Sequence, residues 1–339
     1  MLLEVISKFI DGNTGSCVIP AKAGIQFSNL LLKIKLPAWI PACAGMTTFR
    51  GNILRSLLAS LFIFPLFSQG AIPLQSGTSE EIVAAIEETV SKNSRDKATV
   101  ASLIHALDST NSDVRVKERA AWALGQIKAE SALKALAKAA EHKGLLIRSA
   151  AINSLIRIRS NAALPILIKT AMSDPVLAVR QRAVSGLGLL RSTKAIEPLV
   201  QLSSDEREEI KGAAVLSMSA LHSSKNNFSE ILGEMEKDPS VYVQERAKTA
   251  LILAKGKAAQ VAPLFSSDDS DIRLFAALYF TAKGKTSDLK TLKAFQNSEA
   301  NEEVQDEIQT AVKSIQRRAK AAADKKKKQA LKPKAPPPH

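Results

Sequence analysis

One short pattern recurs seven times in this chain at intervals of 31, 32, 31, 33, 29 and 32 residues. A period of that length limits the chain to architectures in which small similar units stack on one another. The pattern opens with a β-branched apolar residue at position i, usually followed by a basic or polar one. A small residue then stands at i+4 and i+7, and an apolar one at i+8. Val116, Ile147, Val179, Ile210, Val243, Ile272 and Val304 open the seven copies. A weaker copy at Ile82, 34 residues before Val116, reads as a capping repeat. Positions i, i+4, i+7, i+8 and i+11 share one stripe of a helix, so each copy predicts an amphipathic helix. Alanine, the commonest residue at the centre of the stripe, lets neighbouring helices approach closely.

Between the copies lies a shorter apolar pattern: Ala132-Leu133 with Leu136, Ala163-Leu164 with Leu167, and Ala195-Ile196 with Leu199. Pro165, Pro198 and Pro263 recur early in it, where a first-turn proline loses no helical hydrogen bond. Asp174-Pro175, Asp238-Pro239 and Asp268-Asp269 punctuate the junction before the next copy. Two helices per repeat predict an all-α chain, an α-solenoid of about seven to eight two-helix repeats over residues 78–316. An aromatic content of 4% agrees with small-residue helix packing and disfavours a β-sandwich or barrel.

The string V-R-x-x-A-x-x-A-L-G after an Asp-Pro turn, with A-x-P-x-L-x-x-L between copies, resembles the HEAT repeat in its short, phycobilisome-lyase-like form. The resemblance implies that the V-R helices line the concave side of the solenoid. It leaves the function open, because scaffolds, lyases, hydroxylases and base-excision enzymes share this repeat.

The residues offer little material for catalysis. Some HEAT-like enzymes carry His-Glu pairs that bind a di-iron centre, but here His105 is followed by Ala106, His142 by Lys143 and His222 by Ser223. No nucleophile-elbow, phosphate-loop, dinucleotide-binding or H-E-x-x-H string occurs. No cofactor, metal site or enzymatic activity is expected; a lyase-type or other HEAT-like enzyme or accessory factor is the alternative. The expected partner is another protein. On the V-R helices, i+6 brings Trp122, Leu216 and Leu278 opposite the buried stripe, and i+9 brings Ile156 and Ile252. Two readings of these five residues stay open. They pack against an adjacent helix, or they line a partly apolar groove for an extended peptide or helix.

The net charge of +14 sits at the two ends of the chain. Residues 1–55 carry +4, residues 56–316 only +2, and residues 317–339 carry +8. A nearly neutral body disfavours a solenoid that grips nucleic acid along its length, so no specific nucleic acid is expected. The basic Lys/Ala/Pro-rich tail, 317–339, reads first as a disordered solubilising end, with an Ala-Lys composition able to extend the last helix to about residue 330 before the prolines prevent it. It leaves a third reading, contact with nucleic acid or an anionic surface.

At the other end, I-P-A-K-A-G-I (19–25) and I-P-A-C-A-G-M (40–46) read like a translated DNA palindrome, which resembles a dispersed repeat element at an over-extended bacterial gene start. Residues 1–45 are therefore expected to be a non-native or unstructured extension, with Met46 as the start. From there Arg50 and Arg55, the apolar run Ser56 to Phe67, and Ser68-Gln69-Gly70 follow the order of a signal peptide over 46–70, cleaved near Ala71. The alternative is a membrane anchor at 53–67. Cys17 and Cys43 would both be absent from the mature chain. The combined expectation is a periplasmic or secreted, protein-binding HEAT-like scaffold.

Overall fold

Each copy of the pattern folds as the helix its periodicity demands. The computed structural model describes residues 77–330 except 111 and 224. The expectations for 1–45 and 46–70, and for the last residues of the tail, lie outside the described residues. The helices that carry the pattern are α1 (Ser79–Ser91), α3 (Val114–Gln126), α5 (Leu145–Ile158), α7 (Leu177–Leu190), α9 (Glu208–Leu221), α11 (Val241–Lys255), α13 (Ser270–Lys283) and α15 (Glu302–Ala330). Shorter helices alternate with them: α2 (Lys97–Asp108), α4 (Leu133–Ala139), α6 (Leu164–Ser173), α8 (Ile196–Leu202), α10 (Ser229–Met235), α12 (Ala258–Val261) and α14 (Leu289–Ser298). All regular structure among the described residues is helical, and the pairs form an α-solenoid. No helix among the described residues is long and apolar enough to cross a membrane.

The basic residue at i+1 has a structural duty. Arg148 Nε and Nη2 donate to the two Asp174 oxygens at 2.9 and 3.2 Å, while Nη1 donates to the carbonyls of His142 and Lys143 at 3.1 and 2.9 Å. Arg273 repeats the arrangement with Glu299, at 2.8 and 3.0 Å, and with the carbonyls of Ser267 and Asp268. Lys211 reaches Asp238 at 2.9 Å. Asp174 and Asp238 in turn accept the N–H groups of Val176 and Ser240, both at 2.9 Å. At Arg148 and Arg273 a single guanidinium thus ties the turn behind its helix to the turn ahead. Such bidentate, charge-assisted bonds fix geometry as well as energy.

The small residues set how close successive long helices come. Ser154 Oγ donates to the Ala121 carbonyl of the preceding long helix at 2.7 Å, and Ser217 Oγ does the same to Val184 at 3.1 Å. Gly125 and Gly188 lie at these crossings. A Cβ on Gly125 would stand 2.7 Å from Ser154 Cα, and one on Gly188 would stand 2.8 Å from Ser217 Cα. Between α5 and α7 the sizes are exchanged, with Ile156 filling the space over Gly186. Helices that touch backbone to backbone on one side make the inner edge of the stack short. The solenoid therefore curls tightly, and α13 reaches both α7 and α9 across the coil.

At its end α15 runs without interruption to Ala330, so no break in the helix marks the start of the basic tail at 317. Gly188→Ala should destabilise the protein by about 1–3 kcal/mol, because a methyl group there meets backbone. Gly233, on α10, has open space where its Cβ would be. Gly233→Ala should instead stabilise by about 0.5–1 kcal/mol through helix propensity. Urea melts of the two variants check the opposed signs, and equal effects would contradict the crossing geometry.

Candidate functional site

The curl places residues more than a hundred positions apart on one inner cleft of about 550 Å³. Its floor is apolar, formed by Ile152, Val179, Leu274 and Val304, and its rim carries Trp122, Asn153, Arg157, Arg182, Asp271 and Glu303. α3, α5 and α7 supply one wall. The first turns of α13 and α15 supply the other, because Asp269 and Asn301 cap those helices and so fix where Asp271 and Glu303 emerge.

Charge pairs hold the two walls together. Arg182 Nη2 donates to both Glu303 oxygens at 2.6 Å while its Nε donates to Asn153 Oδ1 at 2.6 Å. Arg157 Nη2 meets Asp306 at 2.6 Å and stands 3.5 Å from Glu302. Gln126 reaches Glu302 at 3.2 Å, and Ser185 Oγ donates to Asp271 at 3.0 Å. Below the rim, Glu307 is 3% exposed and accepts from Arg159 at 2.5 Å and from Thr281 at 2.7 Å. Arg119 lies over the Trp122 ring, 5.2 Å from its centre, and steadies the indole at the mouth of the cleft.

The structure corrects the placement of three candidate residues. Ile156, Leu216 and Leu278 are 1%, 0% and 3% exposed, so they are core and present no open face. Ile156 packs over Gly186 of the adjacent helix α7, and α9 and α13, which carry Leu216 and Leu278, touch across the coil. Ile252 is half-buried against the core, and it does not line the cleft. Trp122 is half-buried and does line it. Reasoning from sequence missed Arg157, Arg182, Glu302, Glu303 and Asp306. Their signal was available: the run E-E-V-Q-D-E opens the last repeat, and arginines recur on the inner side of the copies at Ile147 and Val179.

The other polar groups do structural work. His142 Nδ1 accepts the Gly144 N–H at 2.9 Å and His222 Nδ1 accepts that of Phe228 at 3.4 Å, so both shape turns. Among the described residues no group of three or more His, Cys, Asp or Glu is placed to hold a metal ion. Arg246, 4% exposed, pairs with Asp269 and lays its guanidinium over the Tyr242 ring at 4.7 Å.

Burial pushes the Glu307 carboxyl above its usual value of 4.5, against the pull of Arg159 and Thr281. The folded chain therefore binds this proton more tightly than the unfolded chain. That contribution is present at low pH and is lost as pH rises through the folded value. Arg159→Gln removes the compensating charge and should cost about 1–3 kcal/mol at neutral pH, with Arg159 partly exposed. The deficit should shrink as pH falls from neutral, because Glu307 then takes up its proton. Melts across that range check it, and a deficit that grows on acidification would contradict the reading.

Comparison with known proteins bears on the fold. The HEAT-repeat family model matches residues 100–179 and 167–252. No curated protein matches the sequence. Among solved structures, the complex of CpcE and CpcF of phycocyanin lyase from Nostoc sp. PCC7120 is similar at 18% identity and a TM-score of 0.44, covering 83% of this chain and 99% of that one. A designed armadillo repeat protein is similar at 19% identity and a TM-score of 0.33, covering 64% and 99%. Human deoxyhypusine hydroxylase is similar at 17% identity and a TM-score of 0.33, covering 73% and 100%. None of these three likenesses carries a function to this chain. Residues 100–252 are HEAT repeats, and the same pairing of long and short helices runs on from them through the described solenoid.

Proposed function

We propose that this chain is an exported, non-enzymatic binding protein whose solenoid holds a segment of another protein in the cleft beside Trp122. The observation that carries the reading is the cleft's division of labour. Half-buried Trp122 at the mouth offers aromatic area to bury above a floor of core side chains, while the arginines and carboxylates of the rim are already paired with one another. A site of this kind takes one or two apolar side chains of an extended segment and orients them with its polar rim. A volume of about 550 Å³ is too small for a whole helix.

Crosslinking in the native envelope fraction identifies the partner. Titration of that partner at two ionic strengths then tests the site. Trp122→Ala should weaken binding by about 1–4 kcal/mol, the range for an aromatic anchor, with little dependence on salt. Ile252→Ala, away from the cleft, should leave it unchanged. Equal affinity of the Trp122→Ala variant and the parent would contradict the assignment.

Export is supported by the order of residues 46–70, and the mature protein is then expected to begin near Ala71 without either cysteine. N-terminal sequencing of native material checks this. Recovery of residues from 1–45 would contradict both the start at Met46 and the cleaved leader.

A further inference from the structure

The part of α15 that projects beyond the solenoid has no role in the cleft or the core. Among the described side chains of the helix, Ile315 is the last buried one, at 2% exposure. Arg318 then donates to the carbonyls of Thr281 and Gly284 at 2.6 and 2.8 Å, closing the carbonyl end of α13. Residues 320–325 and 327 are exposed. The segment stays helical without a core because it is built from Ala and Lys, two strong helix formers. Lysines toward the C-terminal end also suit the negative pole of the helix.

From Arg317 to Ala330 seven Lys or Arg stand against Asp324 alone, along about 21 Å of helix at 1.5 Å per residue. The solenoid behind it is nearly neutral, so this charge acts as a separate positive prong. We propose that residues 319–330 hold the protein against an anionic lipid surface, as an electrostatic contact distinct from the cleft.

The residue types select that occupant. Every apolar residue between 317 and 330 is alanine, so the prong has nothing to insert among acyl chains and adsorbs by charge alone. Its cations from 319 to 330 are all lysines, which act as point charges on long stems. The arginine forks that read base edges in a duplex groove are missing from that stretch. At 100° per residue Lys320 and Lys327 share a face and Lys325 stands about 140° from it, so the charge is not confined to one line of the helix, which a diffuse field tolerates. The apolar run at 53–67 adds that either of its readings, leader or anchor, brings this chain to a bilayer. That last point alone rests on the reading of 46–70; the charge argument does not.

The test is flotation of the full chain with vesicles of phosphatidylcholine, pure or with about one-third phosphatidylglycerol, at about 0.05 M and 0.5 M salt. The comparison protein carries Lys325→Gln, Lys326→Gln, Lys327→Gln and Lys328→Gln, changes outside the solenoid that should leave its melt unaltered. The parent should prefer anionic vesicles at low salt and lose the preference at high salt. The four replacements should lower the anionic partitioning by roughly 100-fold or more. Any binding through residues 1–70, which carry +4, is common to the parent and the four-lysine variant and cancels between them. Three results would overturn the proposal: no preference for anionic vesicles, a preference that survives the four replacements, or tighter binding to duplex DNA than to anionic vesicles at the same salt. An N-terminus other than Ala71 would count against export and leave this comparison intact.

Discussion

The close crossing of successive long helices is the contact on which the rest of this structure depends. Serine and glycine meet at Ser154 with Gly125 and at Ser217 with Gly188, where no Cβ fits between the backbones. The serine hydroxyl, buried there, donates to a carbonyl of the neighbouring helix and so avoids the cost of an unsatisfied polar group. These crossings shorten the inner edge of the stack while the short helices space its outer edge. The crossings stand between α3 and α5 and between α7 and α9, with the sizes exchanged between α5 and α7.

Curvature of this degree turns a one-dimensional stack into a partly closed body. In an open solenoid each repeat touches only its neighbours. Here Arg182 meets Glu303 and Arg157 meets Asp306, partners separated by 121 and 149 residues. The closure has two effects on function. It fills most of the inner face with the chain's own helices, and it leaves a defined cleft where the polar ends of α13 and α15 stand off from α3, α5 and α7. The recognition surface is accordingly small and shaped, and it draws on five repeats at once.

Much of the fold was legible before any coordinates. Leu155 and Leu187, both fully buried, stand at the predicted i+8 positions, and Arg148 with Asp174 explains why the pattern couples a basic residue to an acidic turn. These features are local or connect one repeat to the next, so a single period encodes them. Curl is different, because it accumulates from small differences in helix spacing that no one repeat displays. Leu216 and Leu278 looked outward in a single helix and proved to be core; the helices that carry them, α9 and α13, touch across the coil although they are two repeats apart. The charge pairs of the cleft were hidden for the same reason. Their two halves are ordinary surface patterns until the coil brings them together.

The claim that the solenoid closes on itself is tested most directly by a double-mutant cycle on Arg182 and Glu303. The two lie in different repeats, and only the curl makes them neighbours. Urea melts of the parent, Arg182→Ala, Glu303→Ala and the double variant yield their interaction energy. Closure predicts a favourable coupling of about 0.5–2 kcal/mol at low salt. Additive effects, with a coupling indistinguishable from zero, would mean that the inner faces stand apart and that the cleft as described does not exist.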